Sequence, residues 1–189
     1  MTVLFVAALE EETSALSELD LVHVGVGKVQ AAAHLAHHLA TSGRRYDLIV
    51  NVGTAGALRG QRHAEVVEVG TVLQHDFDRE TASAFVGRSV GGGPLALAAP
   101  AGTAATLATG DRIVADGAEQ QRLAEVADLV DMEGYAVAAV GAAFAIPVRI
   151  AKAVSDGADQ DAQATWSGAL ARCSAALATW ITAEGLRDR

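Results

Sequence analysis

Short apolar runs alternate with alanine-rich stretches of helical periodicity along most of the chain, and this alternation is the strongest constraint on the fold. The apolar runs are too short for most helices, and they are apolar on both faces, as strands buried within a covered sheet are. Strands and helices that alternate in this way build parallel or mixed sheets covered by helices. The sequence therefore predicts an α/β fold, a three-layer α/β/α sandwich around a central mixed, mostly parallel sheet.

The same periodicities predict where the elements begin and end. Seven strands are expected, at residues 2–7, 21–26, 47–52, 65–74, 106–109, 129–132 and 148–154. Five helices are expected, at residues 10–19, 28–41, 117–127, 133–144 and 164–183. Residues 81–106 are rich in glycine, alanine, serine and proline and show no sustained period, so this segment is expected to be a loop.

Length and composition restrict the class of protein further. With 189 residues, 51% of them hydrophobic, the chain is expected to form a single domain over residues 1–189. Asp and Glu number 23 against 14 Lys and Arg, and the net charge of −9 lacks the basic surface that nucleic-acid binding needs. We therefore expect no nucleic-acid partner.

Cysteine usage and the N-terminal residues indicate the compartment. Cys173 is the single cysteine, which excludes an intramolecular disulfide and a multi-cysteine zinc site. The apolar residues 1–9 have no basic flank, and Glu10 interrupts them well short of a membrane span. We expect a buried first strand instead of a signal peptide, no membrane partner and a cytoplasmic location.

Glycine, carboxylate and hydroxyl residues accumulate where the predicted strands end. Ligands bind at the carboxyl ends of the strands in open α/β sheets, so these segments are expected to form a site at one edge of the sheet. The segments are residues 9–12, 25–28, 51–56, 74–78, 109–111, 131–134 and 155–159.

Each of these segments also has a simpler interpretation when it is taken alone. Gly25 and Gly27 resemble the start of a dinucleotide fingerprint, but Gln30 stands where the third glycine belongs. The three consecutive glutamates at residues 10–12 are also typical of the first turn of a helix, and lone carboxylates at strand ends are often helix caps. His75 has no plausible partners for a metal, so we predict no metal site and no cofactor.

Taken together, the segments resemble the nucleoside phosphorylase and nucleosidase superfamily, and within it the 5′-methylthioadenosine/S-adenosylhomocysteine nucleosidases. The similar stretches occur in the family's order and extend from the first strand to the start of the last helix. They are Ala7-Ala8-Leu9-Glu10-Glu11-Glu12, Gly25-Val26-Gly27-Lys28-Val29, Asn51-Val52-Gly53-Thr54-Ala55-Gly56, His75-Asp76-Phe77-Asp78, Thr109-Gly110-Asp111, Val130-Asp131-Met132-Glu133 and Val154-Ser155-Asp156-Gly157-Ala158-Asp159.

The resemblance implies hydrolysis of the N-glycosidic bond of a purine nucleoside. Bond cleavage through an oxocarbenium-like sugar requires an acid for the leaving base and anionic groups near the sugar. By similarity, Asp156 is the general acid, and Ser155 orients it. Glu12 activates the attacking water. Glu133 binds the ribose hydroxyls, and Met132 lies against the sugar.

The resemblance also implies the remaining contacts. Thr54 is expected near the water or the sugar. Ile113 and Val114 stand where the family places a stacking aromatic residue and a backbone contact to the base, and the aliphatic Ile113 departs from that pattern. Trp166 stands where the family places an aromatic residue over the 5′ side of the nucleoside, although an aromatic anchor for the last helix is an equal alternative.

The acceptor and the substrate remain open at this point. No arginine precedes Arg44, and the carboxylates at residues 10–12 would repel a phosphate dianion, so water is the favoured acceptor. Arg59 and Arg112 keep a phosphate-dependent phosphorylase as an alternative. Methylthioadenosine or adenosylhomocysteine is the first expected substrate, and futalosine or another 5′-modified nucleoside is the second. A third possibility is that the chain is a non-catalytic nucleoside-binding subunit. The enzymes that it resembles are usually dimers, so the resemblance implies a homodimer.

Overall fold

A computed structural model describes residues 1–103 and 105–187, without the side chain of Gln163. Its strands are β1 (Val3–Ala7), β2 (Leu21–His23), β3 (Leu48–Ala57), β4 (Val66–Gln74), β5 (Leu95–Ala96), β6 (Ala105–Thr109), β7 (Leu129–Asp131) and β8 (Val148–Asp156). Its α-helices are α1 (Lys28–Thr41), α2 (Arg79–Val86), α3 (Gly117–Ala124), α4 (Gly134–Ala143) and α5 (Ala162–Ala183). A short 3₁₀ turn covers Glu10–Glu12.

All eight strands belong to one mixed sheet. Its main path runs β2-β1-β3-β7-β6-β4-β5, and β8 pairs with both β3 and β4. The pairings of β1 with β2 and β3, of β3 with β8, and of β6 with β4 and β7 are parallel. The other three are antiparallel. The predicted α/β fold with a mixed, mostly parallel sheet is confirmed.

The sheet also closes on itself, which the sequence did not predict. β3 pairs with β8, β8 with β4, β4 with β6, β6 with β7, and β7 returns to the end of β3 at Gly56 and Ala57. These five strands form a ring, while β1, β2 and β5 extend the sheet outside it.

Helices cover both faces of the sheet. Leu4 and Val6 of β1 point into a core shared with α1 and α4, whereas Phe5 between them points into a core shared with α5. This alternation explains why the strands are apolar on both faces. A third, smaller apolar cluster joins α3 to the ends of β6 and β7. Within residues 1–103 and 105–187, no helix is long and apolar enough to span a membrane.

Two predicted elements are wrong. Instead of a helix over residues 10–19, the chain forms the three-residue 3₁₀ turn and then irregular turns, because Thr13, Ser14 and Ser17 favour local hydrogen bonds over helix. The expected loop at residues 81–106 contains most of α2 and all of β5. Asp78 caps α2 by accepting a hydrogen bond from the Thr81 amide at 2.9 Å. Ala104, also within this loop, lies outside the described residues.

Two strands run further than predicted, and both extensions carry candidate site residues. β3 continues past residue 52 to Ala57, and β8 continues past residue 154 to Asp156. The two strands pair along this length, with a register shift at Ala55 and Gly56. Thr54 and Asp156 therefore lie on paired strands, which hold their backbones more firmly than loops would.

Candidate active site

A cavity of about 610 Å³ opens at the edge of the sheet where β3, β7 and β8 end. Every residue that the sequence assigned to a nucleoside site lines this cavity, so the structure brings the whole predicted set together. The catalytic and binding roles of these residues stay predictions. The residues are Glu12, Thr54, Ile113, Val114, Met132, Glu133, Ser155, Asp156 and Trp166.

Glu12 is buried, with 5% of its surface exposed, and the shorter hydrogen bonds to its carboxylate are all made to one oxygen, Oε1. Its Oε1 accepts hydrogen bonds from the backbone N–H of Thr54 at 2.8 Å and from the Thr54 hydroxyl at 2.5 Å. Its Oε2 accepts a longer bond of 3.3 Å from the Leu9 amide. Gly53 has a φ of +151° and lies so close that a Cβ there would stand 3.2 Å from the carboxylate. The local backbone therefore requires glycine beside Glu12.

Asp156 is also buried, and both of its oxygens accept hydrogen bonds. Its Oδ2 accepts from the Ser155 hydroxyl at 2.7 Å, and its Oδ1 accepts from the Ala158 amide at 2.9 Å. Ala158 has a left-handed φ of +51°, a costly conformation for a residue with a Cβ, and this turn directs its N–H back to Asp156. A Cβ on Gly56 would stand 3.0 Å from Oδ1. The carboxyl group is thus fixed in one orientation.

Glu133 accepts a hydrogen bond from the Gly27 amide at 2.8 Å and is 7% exposed. Burial and the nearby Asp131 carboxylate raise the pKa of Glu133 to about 7, against the opposing charge of Lys152. A carboxyl group with this pKa changes its charge near neutral pH, so the cavity holds a proton-exchanging group beside the expected position of the ribose.

Helix capping does not explain Glu133. It occupies the N-cap position of α4, but its side chain makes no capping hydrogen bond. Asp131 caps the helix instead, because its Oδ2 accepts a hydrogen bond from the Gly134 amide at 2.8 Å. The capping interpretation of this segment therefore applies to Asp131 and leaves Glu133 free for another role.

A buried ion pair beneath the cavity was missed from the sequence. The Nζ of Lys152 lies 2.9 Å from Oδ2 of Asp131, and both side chains are almost fully buried. Burial alone would lower the pKa of Lys152, but the carboxylates of Asp131, Glu133 and Glu12 outweigh it, and the net pKa is raised. The signal was a lysine flanked by the apolar residues Ile150, Ala151, Ala153 and Val154 in the middle of β8.

The expected base-binding segment lies at the cavity rim. Ile113 is 77% exposed, whereas Val114 is buried against α3. Arg112 lines the cavity beside them, and it is the single cationic side chain among the described lining residues. Arg59, the other arginine considered for phosphate, bonds to Asp128 at 3.1 Å and does not line the cavity.

A polar cluster ties this segment to the start of α1. The Lys28 ammonium pairs with Asp76, and the Lys28 amide donates to Oδ1 of Asp111 at 2.7 Å. The Asp111 amide in turn donates to Asp76 at 2.8 Å. The neighbouring Gly27 holds Glu133, so one cluster connects the rim segment with the Glu133 side of the cavity. In the described residues, no group of three or more His, Cys, Asp or Glu side chains is arranged to hold a metal ion.

Comparison with known proteins agrees with this architecture. A model of the phosphorylase superfamily matches residues 17–182. The futalosine hydrolase of Streptomyces coelicolor is 32% identical over 185 residues, covering 88% of this chain and 77% of that protein.

Solved structures show the same fold. The futalosine hydrolase of Helicobacter pylori superposes with a TM-score of 0.81 at 18% identity, covering 96% of each chain. The 5′-methylthioadenosine/S-adenosyl homocysteine nucleosidase of the same organism gives 0.81 at 19% identity over 97% of each chain. The S-adenosylhomocysteine nucleosidase of Streptococcus pyogenes, solved with 5-methylthiotubericidin, gives 0.74 at 26% identity over 96% of each chain. The chain therefore belongs to the phosphorylase superfamily and is an enzyme whose relatives are N-glycosidic-bond hydrolases.

Proposed function

We propose that this enzyme hydrolyses the N-glycosidic bond of a purine nucleoside and releases the free base and the ribose moiety. The observation that carries the proposal is the convergence of three carboxyl groups, Glu12, Glu133 and Asp156, on one cavity. Each is buried, and each is held by a backbone N–H, so the three groups are preorganised for reaction and not only for folding. The relationship to a futalosine hydrolase supports the same chemistry.

The proposed reaction begins with proton transfer from Asp156 to N7 of the base. The C1′–N9 bond then breaks, and its electron pair leaves with the base. The positive charge that develops on the sugar lies among the carboxylates of the cavity. Water attacks C1′, and Glu12 accepts the proton that the water loses, so the charges balance.

Substrate positioning falls to the other lining residues. Glu133 binds the ribose hydroxyls, and Met132 lies against the sugar. Ile113 and Val114 contact the base, Ser155 orients Asp156, and Trp166 covers the 5′ side. Thr54 lies next to Glu12 and the attacking water.

Water is a better acceptor than phosphate in this cavity. Four carboxyl groups line it, those of Glu12, Asp131, Glu133 and Asp156, against the one guanidinium of Arg112. Even with Asp156 protonated as the acid and Asp131 paired with Lys152, Arg112 is the one cationic side chain of the described lining, so a phosphate dianion would lack the paired cationic groups it needs. Dependence of the reaction on added phosphate would favour the phosphorylase alternative.

We further propose that the substrate is a 5′-modified purine nucleoside, with futalosine and methylthioadenosine or adenosylhomocysteine as the two candidates. The Streptomyces coelicolor relative supports futalosine, and the fold is shared with nucleosidases of both kinds. The aliphatic Ile113 at the base-stacking position weakens the preference for adenine nucleosides.

Two further proposals are a cytoplasmic location and a homodimer. The homodimer is supported by the exposed apolar side chains of α2, Phe85 and Val86.

Base release tests the proposal directly. Purified protein is mixed with futalosine, methylthioadenosine or adenosylhomocysteine in phosphate-free buffer, and free base is followed by chromatography. We expect release of base from at least one of them, and its loss in Asp156→Asn. Asp20→Asn removes the charge of a half-buried aspartate that pairs with Arg44 and does not line the cavity, so it is the matched control and should keep full activity. No release from any of these nucleosides, with or without phosphate, would favour the non-catalytic binding subunit.

A further inference from the structure

A chain of hydrogen bonds connects Trp166 to the carboxylate of Glu12. The indole Nε1 of Trp166 donates to the Thr54 hydroxyl at 3.0 Å, and that hydroxyl donates to Oε1 of Glu12 at 2.5 Å. We propose that Trp166 is a positioning residue for Glu12 and acts through the hydroxyl of Thr54. The inference rests on the proposed function, in which Glu12 activates the attacking water.

The direction of these hydrogen bonds follows from the chemistry of the groups. An indole N–H can only donate, so the Thr54 oxygen must accept from Trp166. The hydroxyl has one hydrogen, and its remaining short contact is with Oε1 of Glu12. The backbone N–H of Thr54 donates to the same Oε1, at 2.8 Å. The indole hydrogen occupies one of the two lone pairs of the hydroxyl oxygen, so the hydroxyl hydrogen points away from Trp166 and is directed to Glu12.

Glu12 gains a defined chemical asymmetry from this arrangement. Oε1 receives two short hydrogen bonds, whereas Oε2 receives one of 3.3 Å from the Leu9 amide. Oε2 keeps the greater capacity to accept another hydrogen bond, so it is the oxygen that takes the proton of the attacking water.

The fold holds the indole in place from α5. Trp166 lies in the first part of this helix. It shares one helix face with Ala162, Ala169 and Cys173, because successive members of this set are three or four residues apart. These three neighbours are buried at 6%, 1% and 0% exposure. Helix packing thus fixes the direction of the indole N–H toward β3, where Thr54 lies.

Two variants separate this role from simple packing. Trp166→Phe keeps an aromatic ring and removes the N–H, and Thr54→Val keeps the volume and removes the hydroxyl. We expect Trp166→Phe to lower kcat about 5-fold and to change KM less than about 2-fold, since one neutral hydrogen bond is lost in the reacting state. Trp180→Phe is the matched control on the same helix. Trp180 stacks on Arg149, away from the cavity, and this variant should keep the wild-type kcat.

A double-mutant cycle gives the decisive comparison. We call the two hydrogen bonds from Trp166 through the Thr54 hydroxyl to Glu12 the relay. Thr54→Val already removes the relay, so adding Trp166→Phe to it should lower kcat by less than about 2-fold. Thr54→Ser retains a hydroxyl, and there the 5-fold effect of Trp166→Phe should return. The inference is overturned by an unchanged kcat in Trp166→Phe, or by an equal loss in the wild-type and Thr54→Val backgrounds.

A spectroscopic measurement tests the hydrogen bond without turnover. The chain has two tryptophans, so an ¹⁵N-labelled sample gives two indole N–H signals, assigned with the two Trp→Phe variants. Thr54→Val should move the Trp166 signal and leave the Trp180 signal in place. An unmoved Trp166 signal refutes the relay even when the enzyme is active. Absence of base release by the wild-type protein instead refutes the proposed function, and the catalytic role of the relay with it.

Discussion

Glu133→Gln should make the protein more stable at pH 8 while removing a group from the site. In the folded protein, burial and Asp131 raise the pKa of Glu133 to about 7, from an ordinary value of 4.5. Between these two values the folded chain holds a proton on Glu133 that the unfolded chain has released. Stability therefore falls as the pH rises through this window, and the full cost is present above pH 7.

The size of the cost follows from the two pKa values. Each pH unit between them contributes about 1.4 kcal/mol, so the charged Glu133 lowers the free energy of unfolding by about 3 kcal/mol at pH 8. Glutamine has nearly the same shape, keeps an oxygen for the Gly27 N–H and carries no charge at any pH. Glu133→Gln should thus be more stable than the wild type by up to about 3 kcal/mol at pH 8 and by less than about 1 kcal/mol at pH 5.

Urea denaturation at pH 5, 6, 7 and 8, followed by tryptophan fluorescence, measures this difference. Subtracting the variant from the wild type cancels the titration of the groups that do not interact with Glu133. Glu125→Gln, an exposed glutamate at the end of α3, is the control and should give a flat difference. A pH-independent difference for Glu133→Gln, or a variant less stable at pH 8, would refute the reasoning. Base release by Glu133→Gln should be reduced most at pH 8, because there the ribose loses a charged partner, and least at pH 5, where the wild-type Glu133 is itself protonated.

Two other substitutions test the surroundings of the carboxyl groups. Lys152→Met should lower the free energy of unfolding, measured by urea denaturation, by about 3–5 kcal/mol, since it leaves the buried Asp131 without its cation. Adding Asp131→Asn should recover part of that loss. Gly53→Ala should lower the free energy of unfolding by about 1–3 kcal/mol and lower kcat. The backbone at this position has a φ of +151°, which a residue with a Cβ rarely adopts, and the new Cβ would crowd Glu12. Gly168→Ala, at a helix position with open space, is its control and should be neutral or slightly stabilising; equal losses in both glycine variants would contradict the explanation.

Local periodicity predicted most elements of the fold. The helix expected at residues 28–41 is observed as Lys28–Thr41, because its apolar positions recur every three or four residues and Gly43 follows it. The candidate site could be predicted because parallel strands present their carboxyl ends at one edge. Residues as distant in sequence as Glu12 and Asp156 therefore meet at the same cavity.

Features that depend on long-range pairing could not be predicted. The ion pair between Lys152 and Asp131 and the bond between Trp166 and Thr54 join residues that are distant in the chain, and no local pattern specifies either contact. The closed ring depends on the antiparallel pairings of β3 with β7 and of β4 with β8, which periodicity does not specify. The helix expected at residues 10–19 failed for a local reason, since Thr13, Ser14 and Ser17 favour hydrogen bonds to nearby backbone, and the turn that forms instead leaves Glu12 buried.

Closure of the sheet also limits how copies of this chain can associate. Strands with unpaired edges are templates for aggregation, and β3, β4, β6, β7 and β8 have partners on both sides through the ring. Among the described strands, the sheet ends at β2 and β5, which are three and two residues long. Edges this short offer few free backbone groups to another chain. The described strands therefore favour association through side chains of helices and loops over a continuous intermolecular sheet.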